Sequence, residues 1–245
     1  MADLFRDRER AESFGSIAGL YDRYRPTAAP EFLDELAALK PTRVLDVGCG
    51  TGKVARELLD RGLTVLGVEL DARMASIARE HGVDVEVSAF ETWDDRGRTF
   101  DLITCGDAWH WIDPVPGWRK VARVLRPGGT VVRFWNHYEV EEPLNSAFEA
   151  VRDRVAPELA DQPTSRTAVR QDDDPRVEHL SYPWVRTYSA DEFVALSATY
   201  SAHQMLEPAK LAELQRALHA AIVEHGGTVV ARGRTDVSRS RAAPR

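Results

Sequence analysis

Val44-Leu45-Asp46-Val47-Gly48-Cys49-Gly50-Thr51-Gly52-Lys53-Val54-Ala55-Arg56-Glu57-Leu58-Leu59 joins a short apolar run to an amphipathic one through three alternating glycines. The first run, Arg43 to Val47, reads as a buried strand. The second reads as a helix from Lys53 to Arg61, with Val54, Ala55, Leu58 and Leu59 inward and Gly62 closing it. Glycine lets such a turn take positive φ and lets a ligand lie against bare backbone. The free N–H groups that open the helix favour a negatively charged group. Two nucleotide-binding patterns fail on residue identity. Gly52-Lys53 suits a P-loop, but Val47 and Val54 stand where its first glycine and its hydroxyl belong. A G-x-G-x-x-G turn begun at Gly48 would need glycine where Lys53 stands. What remains is an acid, Asp46, ahead of a bend with glycine at 48, 50 and 52.

Outward from this junction the chain alternates. Pro30 to Lys40 is a short helix upstream. Downstream, Thr64 to Glu69 is a second strand, and Asp71 caps a helix that runs to about His81 and ends at Gly82. Val83 to Ser88 and Phe100 to Cys105 are the third and fourth strands. Pro114 opens a helix to about Leu125, Pro127-Gly128-Gly129 is a turn, and Thr130 to Asn136 is the fifth strand. Pro143 to Arg154 has helical character. Val177 to Tyr188 is a sixth strand with a kink at Pro183. Pro208 to Glu224 is a helix with Leu211, Leu214, Leu218 and Ile222 on one face, and a seventh strand starts at Thr228. Strands alternating with helices imply right-handed βαβ units and a doubly wound, mostly parallel α/β sheet. Residues 1–245 are expected to form a single domain. Its acidic, proline-punctuated stretch at about 137–176, with the loop Asp172-Asp173-Asp174-Pro175, is expected to be a cap inserted after strand five. The first ten residues are expected to fray and 239–245 to be a loose tail.

Composition narrows the function. The 245 residues are 43% hydrophobic and 29% charged, as in ordinary globular proteins, with a net charge of −7 that argues against nucleic acid as partner. The apolar runs are too short to span a bilayer, and the charged start MADLFRDRER has no apolar targeting core, so no membrane role is expected. Two cysteines, Cys49 and Cys105, suggest no disulfide framework and suit a reducing cytoplasm. No metal is expected: His203, His219 and His225 lack zinc-type spacing.

Val44 to Gly52 resembles motif I of the class I SAM-dependent methyltransferases (SAM is S-adenosyl-L-methionine). Gly67-Val68-Glu69, with Met74 five residues on, is similar to that family's acidic ribose position. Phe100-Asp101-Leu102-Ile103 resembles its fourth strand, and Leu125-Arg126-Pro127-Gly128-Gly129-Thr130 the turn before its fifth. A finer resemblance is to bacterial trans-aconitate methyltransferase-like proteins (the type 11 subgroup). It rests on Tyr21-Asp22-Arg23-Tyr24-Arg25-Pro26, on Ala108-Trp109-His110-Trp111-Ile112-Asp113-Pro114 and on Phe134-Trp135-Asn136. Thr199-Tyr200-Ser201 and His225-Gly226-Gly227-Thr228 extend it. The resemblance implies a Rossmann-like, seven-stranded class I methyltransferase fold with an N-terminal helix. It implies a transferase that passes the methyl group of SAM to O, N or C of a small molecule, releasing S-adenosyl-L-homocysteine (SAH), with natural-product biosynthesis as one setting. Alternatives are a nucleic-acid or protein methyltransferase and a non-catalytic SAM-binding protein. A monomer or homodimer is expected.

A SAM site needs acceptors for ribose hydroxyls, an apolar slot for adenine and polar groups for the methionine end. Glu69 has two acceptor oxygens for the ribose. Leu70 and Met74 are placed as adenine walls, Met74 being equally suited to the core. Ala89 and Phe90 follow strand three, where a backbone N–H and a packed ring would meet the adenine edge. The backbone of Gly48 and Gly50 would approach the methionine part, Asp46 would orient the loop or reach the ammonium, and Cys105-Gly106 would form the floor. Cys49 reads as a small filler. Tyr21 and Arg25 lie one helical turn apart, and the resemblance places their helix over the cofactor. Arg25 would pair with the SAM carboxylate or form a plain surface ion pair. Trp109-His110-Trp111 reads as the substrate wall, with His110 either a general base or part of that wall. Asn136 and His137 are further pocket candidates. Asp107 stands where the subgroup commonly has glutamine, which marks a changed cofactor contact or a different acceptor.

Overall fold

A computed structural model describes residues 4–7, 10, 11, 13–160 and 174–243. Seven strands are present: β1 (Val44–Val47), β2 (Val65–Glu69), β3 (Asp84–Val87), β4 (Phe100–Gly106), β5 (Leu125–Val140), β6 (Glu178–Ser189) and β7 (Thr228–Arg241). They form one sheet in the order β3-β2-β1-β4-β5-β7-β6. β1 to β5 are parallel, and β7 runs antiparallel to both of its neighbours. The helices are α1 (Ala18–Tyr24), α2 (Pro30–Ala38), α3 (Lys53–Asp60), α4 (Ala72–Glu80), α5 (Pro114–Val124), α6 (Leu144–Val155), α7 (Ala190–Ala198), α8 (Ser201–Gln204) and α9 (Pro208–Glu224). The chain winds from β1 to β3 in one direction and from β4 outward in the other. The order therefore reverses between β1 and β4, and the crevice beyond their carboxyl ends is where such sheets bind ligands.

Helices cover both faces, which is why β1 is buried throughout, Asp46 included. Phe32, Leu33 and Leu36 of α2 pack with Ala55 and Leu58 of α3 on one side. Val121 and Val124 of α5 pack with Trp93, Phe100, Trp109 and Trp135 on the other. A further layer joins Leu144 of α6, Phe193 and Leu196 of α7 and Ile222 of α9 beside β7. Local chemistry sets the helix starts. Asp71 caps α4 by accepting from the Arg73 N–H at 2.7 Å, and Asp113 caps α5 by accepting from the Val115 N–H at 3.0 Å.

The fold agrees with the sequence reading along β1 to β4 and departs from it in four places. Pro127-Gly128-Gly129 is not a free turn before β5. It is a bulge within the strand: Phe100 pairs with Leu125 but Leu102 already pairs with Thr130, and Gly128 takes φ +76° to absorb the surplus. The loose tail expected from 239 is a correction. Arg239, Ser240 and Arg241 finish β7 opposite Val132, Val131 and Thr130, and Arg239 bonds Glu178 of β6. These alternating Ser and Arg residues are polar because β7 lies near the sheet margin, not because the chain is free. The frayed N-terminus is also corrected at Arg10, which is only 5% exposed and donates from Nε to Ser201 Oγ at 3.0 Å. Finally, α7 was not foreseen, although Ser189 and Glu192 form a reciprocal capping box at its start.

Pro183 sits inside β6 without breaking it because β6 is the outer strand of the sheet. Of the expected cap, 137–140 prolong β5 and α6 follows, while 161–173, with Asp172 and Asp173, lie outside the described residues. Among the described residues no helix is long and apolar enough to cross a membrane.

Removal of 239–245 should lower stability by about 2 kcal/mol, given ladder hydrogen bonds worth about 1 kcal/mol each. The check is the urea midpoint of the truncated chain; an unchanged midpoint would show that the end of β7 contributes nothing.

Candidate active site

At the carboxyl end of β1 the chain turns sharply, with Gly48 at φ +64° and Gly50 at φ +56°. A Cβ on Gly48 would lie 2.6 Å from the Ala108 methyl, so the turn has room only for glycine there. The Glu69 carboxylate, at the tip of β2, fastens this turn. It accepts from the Gly50 N–H at 2.8 Å with one oxygen and from the Asp71 N–H at 2.9 Å with the other. Burial raises the Glu69 pKa, and the two N–H donors oppose that shift. Ser88 N–H donates to Glu69 O at 2.9 Å, which brings the end of β3 alongside.

Asp46 lies beneath, 2% exposed, accepting from the Thr104 hydroxyl at 2.7 Å. Burial pushes its pKa to about 7; the Thr104 hydrogen bond works against this and the neighbouring Glu69 charge adds to it. Among the described residues neither acid forms an ion pair. Met74 is buried with its methyl group close to Gly50, and Phe90 is buried beyond β3, while Leu70 and Ala89 are half-buried. Cys49 and Cys105 are buried thiols whose pKa values burial drives well up, which suits fillers and not nucleophiles. Gly106 is dictated by the Phe134 ring, which a Cβ would approach to 2.5 Å.

Beyond β4 the backbone takes φ +51° at Asp107. Both Asp107 carboxylate oxygens face Asn136: Oδ1 accepts from its backbone N–H at 3.1 Å and Oδ2 from its side-chain amide at 3.0 Å. Asn136 Oδ1 accepts from the Thr235 hydroxyl at 2.8 Å, and Thr235 Oγ1 accepts from the Ala29 N–H at 2.9 Å. His110 accepts at Nδ1 from the Trp135 indole N–H at 3.4 Å. Its pKa is pushed down to about 3 by burial first and then by the nearby Arg10 and Arg25 charges.

The N-terminal segment closes over these groups. Gly15 lies so near the Asp71 carboxylate that a Cβ would strike it. Phe14 meets the Tyr21 ring edge-on at 5.7 Å and the Trp111 ring at 6.0 Å. Arg25 donates from Nε to Thr199 Oγ1 at 2.8 Å and from its terminal amine to Thr199 O at 2.9 Å, and its guanidinium lies over the Tyr200 ring at 4.7 Å. Tyr200 in turn bonds the Tyr138 hydroxyl. On the other side Asp22 of α1 reaches Arg56 at 3.3 Å and His81 at 3.0 Å.

Most residues singled out in the sequence therefore meet around one crevice: Tyr21, Arg25, Asp46, Gly48, Gly50, Glu69, Asp107, His110, Trp111 and Asn136. His137 follows Asn136 on β5, half-buried and close enough for its charge to bear on Asp107. Two assignments are corrected. Trp109 is not a pocket wall: it is 7% exposed and packs on Trp118 at 4.8 Å with the Arg133 guanidinium over its ring at 5.4 Å, because the single 3-10 turn Trp109–Trp111 sends alternate indoles to opposite sides. Among the described residues Arg25 forms no surface ion pair, being held by Thr199. Phe14, Arg10 and Thr235 were missed. Phe14 carried a signal in its aromatic surroundings, whereas a hydroxyl within β7 carried none.

The family model described as a methyltransferase domain matches residues 21–194. The chain belongs to the SAM-dependent methyltransferase family. It is 36% identical over 159 residues to an uncharacterized methyltransferase of Mycobacterium bovis, covering 60% of this chain and 65% of that one. It is 37% identical over 106 residues to a ubiquinone biosynthesis O-methyltransferase of Hahella chejuensis, covering 40% of this chain and 44% of that one. The matches thus span less than two thirds of these relatives' lengths. Among solved structures, a proposed Type II methyltransferase from Anaeromyxobacter dehalogenans superposes with a TM-score of 0.67 at 22% identity. That superposition covers 91% of this methyltransferase and 100% of the other, and it shows the shared fold.

Asp46 gives a pH test of this site. Its folded pKa of about 7 lies above the ordinary carboxylate value, so the folded state binds the extra proton between about pH 4 and pH 7. Stability contributed by that proton is present in full below about pH 4 and is lost as pH rises through about 7. Asp46→Asn should remove this downward slope and be the more stable protein at pH 8, by about 4 kcal/mol at most. Parallel urea curves for the two proteins across pH 4 to 8 would contradict the assignment.

Proposed function

We propose that this methyltransferase transfers the methyl group of SAM to O, N or C of a small-molecule acceptor held in the closed crevice over β1 and β4. The observation that supports the reading is the lock between Arg25 and Thr199, together with Phe14 against Tyr21 and Trp111, which holds the N-terminal segment beside these groups. A nucleic acid or a protein surface would have to displace that whole segment. A net charge of −7 also disfavours a polyanion. The O-methyltransferase named among the relatives is consistent with an oxygen acceptor. The buried free thiols of Cys49 and Cys105 suit a reducing compartment such as the cytoplasm.

The residues present fit the methyl donor. Asp46 and Glu69 are acids without a cationic partner among the described residues, so an ammonium or a sulfonium placed beside them would favour their ionised forms, and Glu69 keeps lone pairs for ribose hydroxyls. Gly48 and Gly50 offer bare backbone to the methionine part, with Cys105-Gly106 as floor. Leu70, Met74, Ala89 and Phe90 line the side where a flat base would rest. Tyr21 covers the crevice, and Arg25 keeps one terminal amine for a carboxylate beside the two nitrogens bound to Thr199. The donor supplies an already activated methyl group. The protein's part is alignment and exclusion of water. His110 serves as wall and hydrogen-bond donor. With Nδ1 accepting from Trp135, the neutral ring carries its proton on Nε2, and a pKa of about 3 leaves it without basicity near neutral pH.

The direct test is SAH formation with a panel of phenols, catechols, amines and carboxylic acids, beside an oligonucleotide and a basic peptide. Turnover confined to the oligonucleotide or the peptide would refute the small-molecule reading, and SAH formed with none of them would refute methyl transfer. Glu69→Ala should weaken SAM binding at least tenfold, about 1.4 kcal/mol, by calorimetry. His110→Gln, which keeps an N–H donor, should hold the rate within about threefold, since a general base contributes about 100-fold or more.

A further inference from the structure

The crevice contains a carboxylate that the donor does not require. Asp107 stands at the tip of β4 near Tyr21, which feels the charges of both Asp107 and Glu69, and Arg25 and His137 lie near Asp107. Its orientation is fixed by a directed chain of hydrogen bonds. The Thr235 hydroxyl accepts from the Ala29 N–H and must give its own proton to Asn136 Oδ1. That leaves the Asn136 amide nitrogen facing Asp107 Oδ2, while the Asn136 N–H holds Oδ1. Every member is an oriented donor, so Asp107 can only accept, and each of its oxygens retains a lone pair.

We infer that Asp107 is the group that takes the proton of the methyl acceptor, and that Thr235, through Asn136, is the residue that positions it. The inference rests on the methyl-transfer reading above and assigns the acceptor to molecules with an acidic O–H or N–H. The acceptor's lone pair forms the new bond to the methyl carbon. The carbon–sulfur bond breaks with its electron pair staying on sulfur, and the acceptor's proton passes to the Asp107 carboxylate, from which solvent removes it once the products leave. Charge balances: a sulfonium cation and a carboxylate give a neutral thioether and a carboxylic acid.

Three features support this assignment. His110, three positions on, has its one free lone pair occupied by Trp135. Other charged or titratable groups that bear on Asp107 include Tyr21 and Arg25 on α1, Cys105 on β4 and His137 on β5. Burial holds the Cys105 thiol neutral and pushes the Tyr21 pKa up to about 12, and the Arg25 guanidinium has no lone pair for a proton, which leaves His137 as the rival base. Burial raises the Asp107 pKa above the ordinary carboxylate value, toward the range where a base is effective, and Arg25 and the Asn136 donors keep that rise in check.

The test compares wild type, Asp107→Asn, Thr235→Val and Thr235→Ser, using an acceptor found active in the panel and SAH as the binding probe. Asp107→Asn should lower kcat about 100-fold and abolish the acid limb of the pH–rate profile, with SAH affinity by calorimetry within about twofold of wild type. Thr235→Val should lower kcat about tenfold and shift that limb, and Thr235→Ser should restore both. An Asp107→Asn enzyme with wild-type kcat would overturn the inference while leaving methyl transfer intact. So would a tenfold loss of SAH affinity, which would make Asp107 a clamp for the donor's ammonium. A Thr235→Val protein with an unmoved limb would overturn the positioning role.

Discussion

The Glu69 carboxylate is the constraint on which the site depends. One side chain accepts from Gly50 in the turn after β1 and from Asp71 at the start of α4, and so ties three chain segments to one point. The glycines make this possible, because a side chain on Gly48 would drive the turn into Ala108. The N-terminal segment then uses the same platform, with Gly15 resting on the Asp71 carboxylate that caps α4. Cradle and cover are thus built against one another, and the cradle's geometry is set by backbone donors that need no mobile side chain to hold it.

Such a site costs stability. Asp46 is buried beside Glu69 with a hydroxyl as partner and no cation, an arrangement that a chain selected only for folding would avoid. Three carboxylates lie near one another, Asp46 beneath the turn and Glu69 and Asp107 around Tyr21, while Arg25 gives two of its nitrogens to Thr199. The imbalance has a direction. It favours a cationic ligand over an anionic one.

Legibility followed the range of the interactions. The strand–turn–helix around Gly48, Gly50 and Gly52, the cap Asp71, the helix start at Pro114 and the helix Pro208–Glu224 are local, decided by residues within a few positions, and the sequence was enough for them. The side to which Trp109 points was not legible, because a single 3-10 turn has no periodicity and the choice is made by Trp118 and Arg133. The tail at 239–241 was misread because polar alternation looks the same in a marginal strand and in a free chain. Thr235 was invisible for a further reason: its role is defined only by two partners, Ala29 and Asn136, that lie 206 and 99 positions away.

The division of labour among the acids follows from what each one touches. Glu69 is fastened by backbone N–H groups of a turn and a helix start, so it cannot move without the cradle moving, which suits recognition of a rigid ribose. Asp46 is sealed under that turn and acts on the loop and the field above it. Asp107 is different: its carboxylate partners are one asparagine and, behind it, one threonine on the antiparallel strand β7. The hydrogen bonds that orient Asp107 thus run through β5 and β7, whereas the turn after β1 is held from β2. Substitutions on β5 and β7 can retune the acceptor side while the cradle of β1 and β2 stays fixed, which gives this architecture a physical route to new acceptors with one donor.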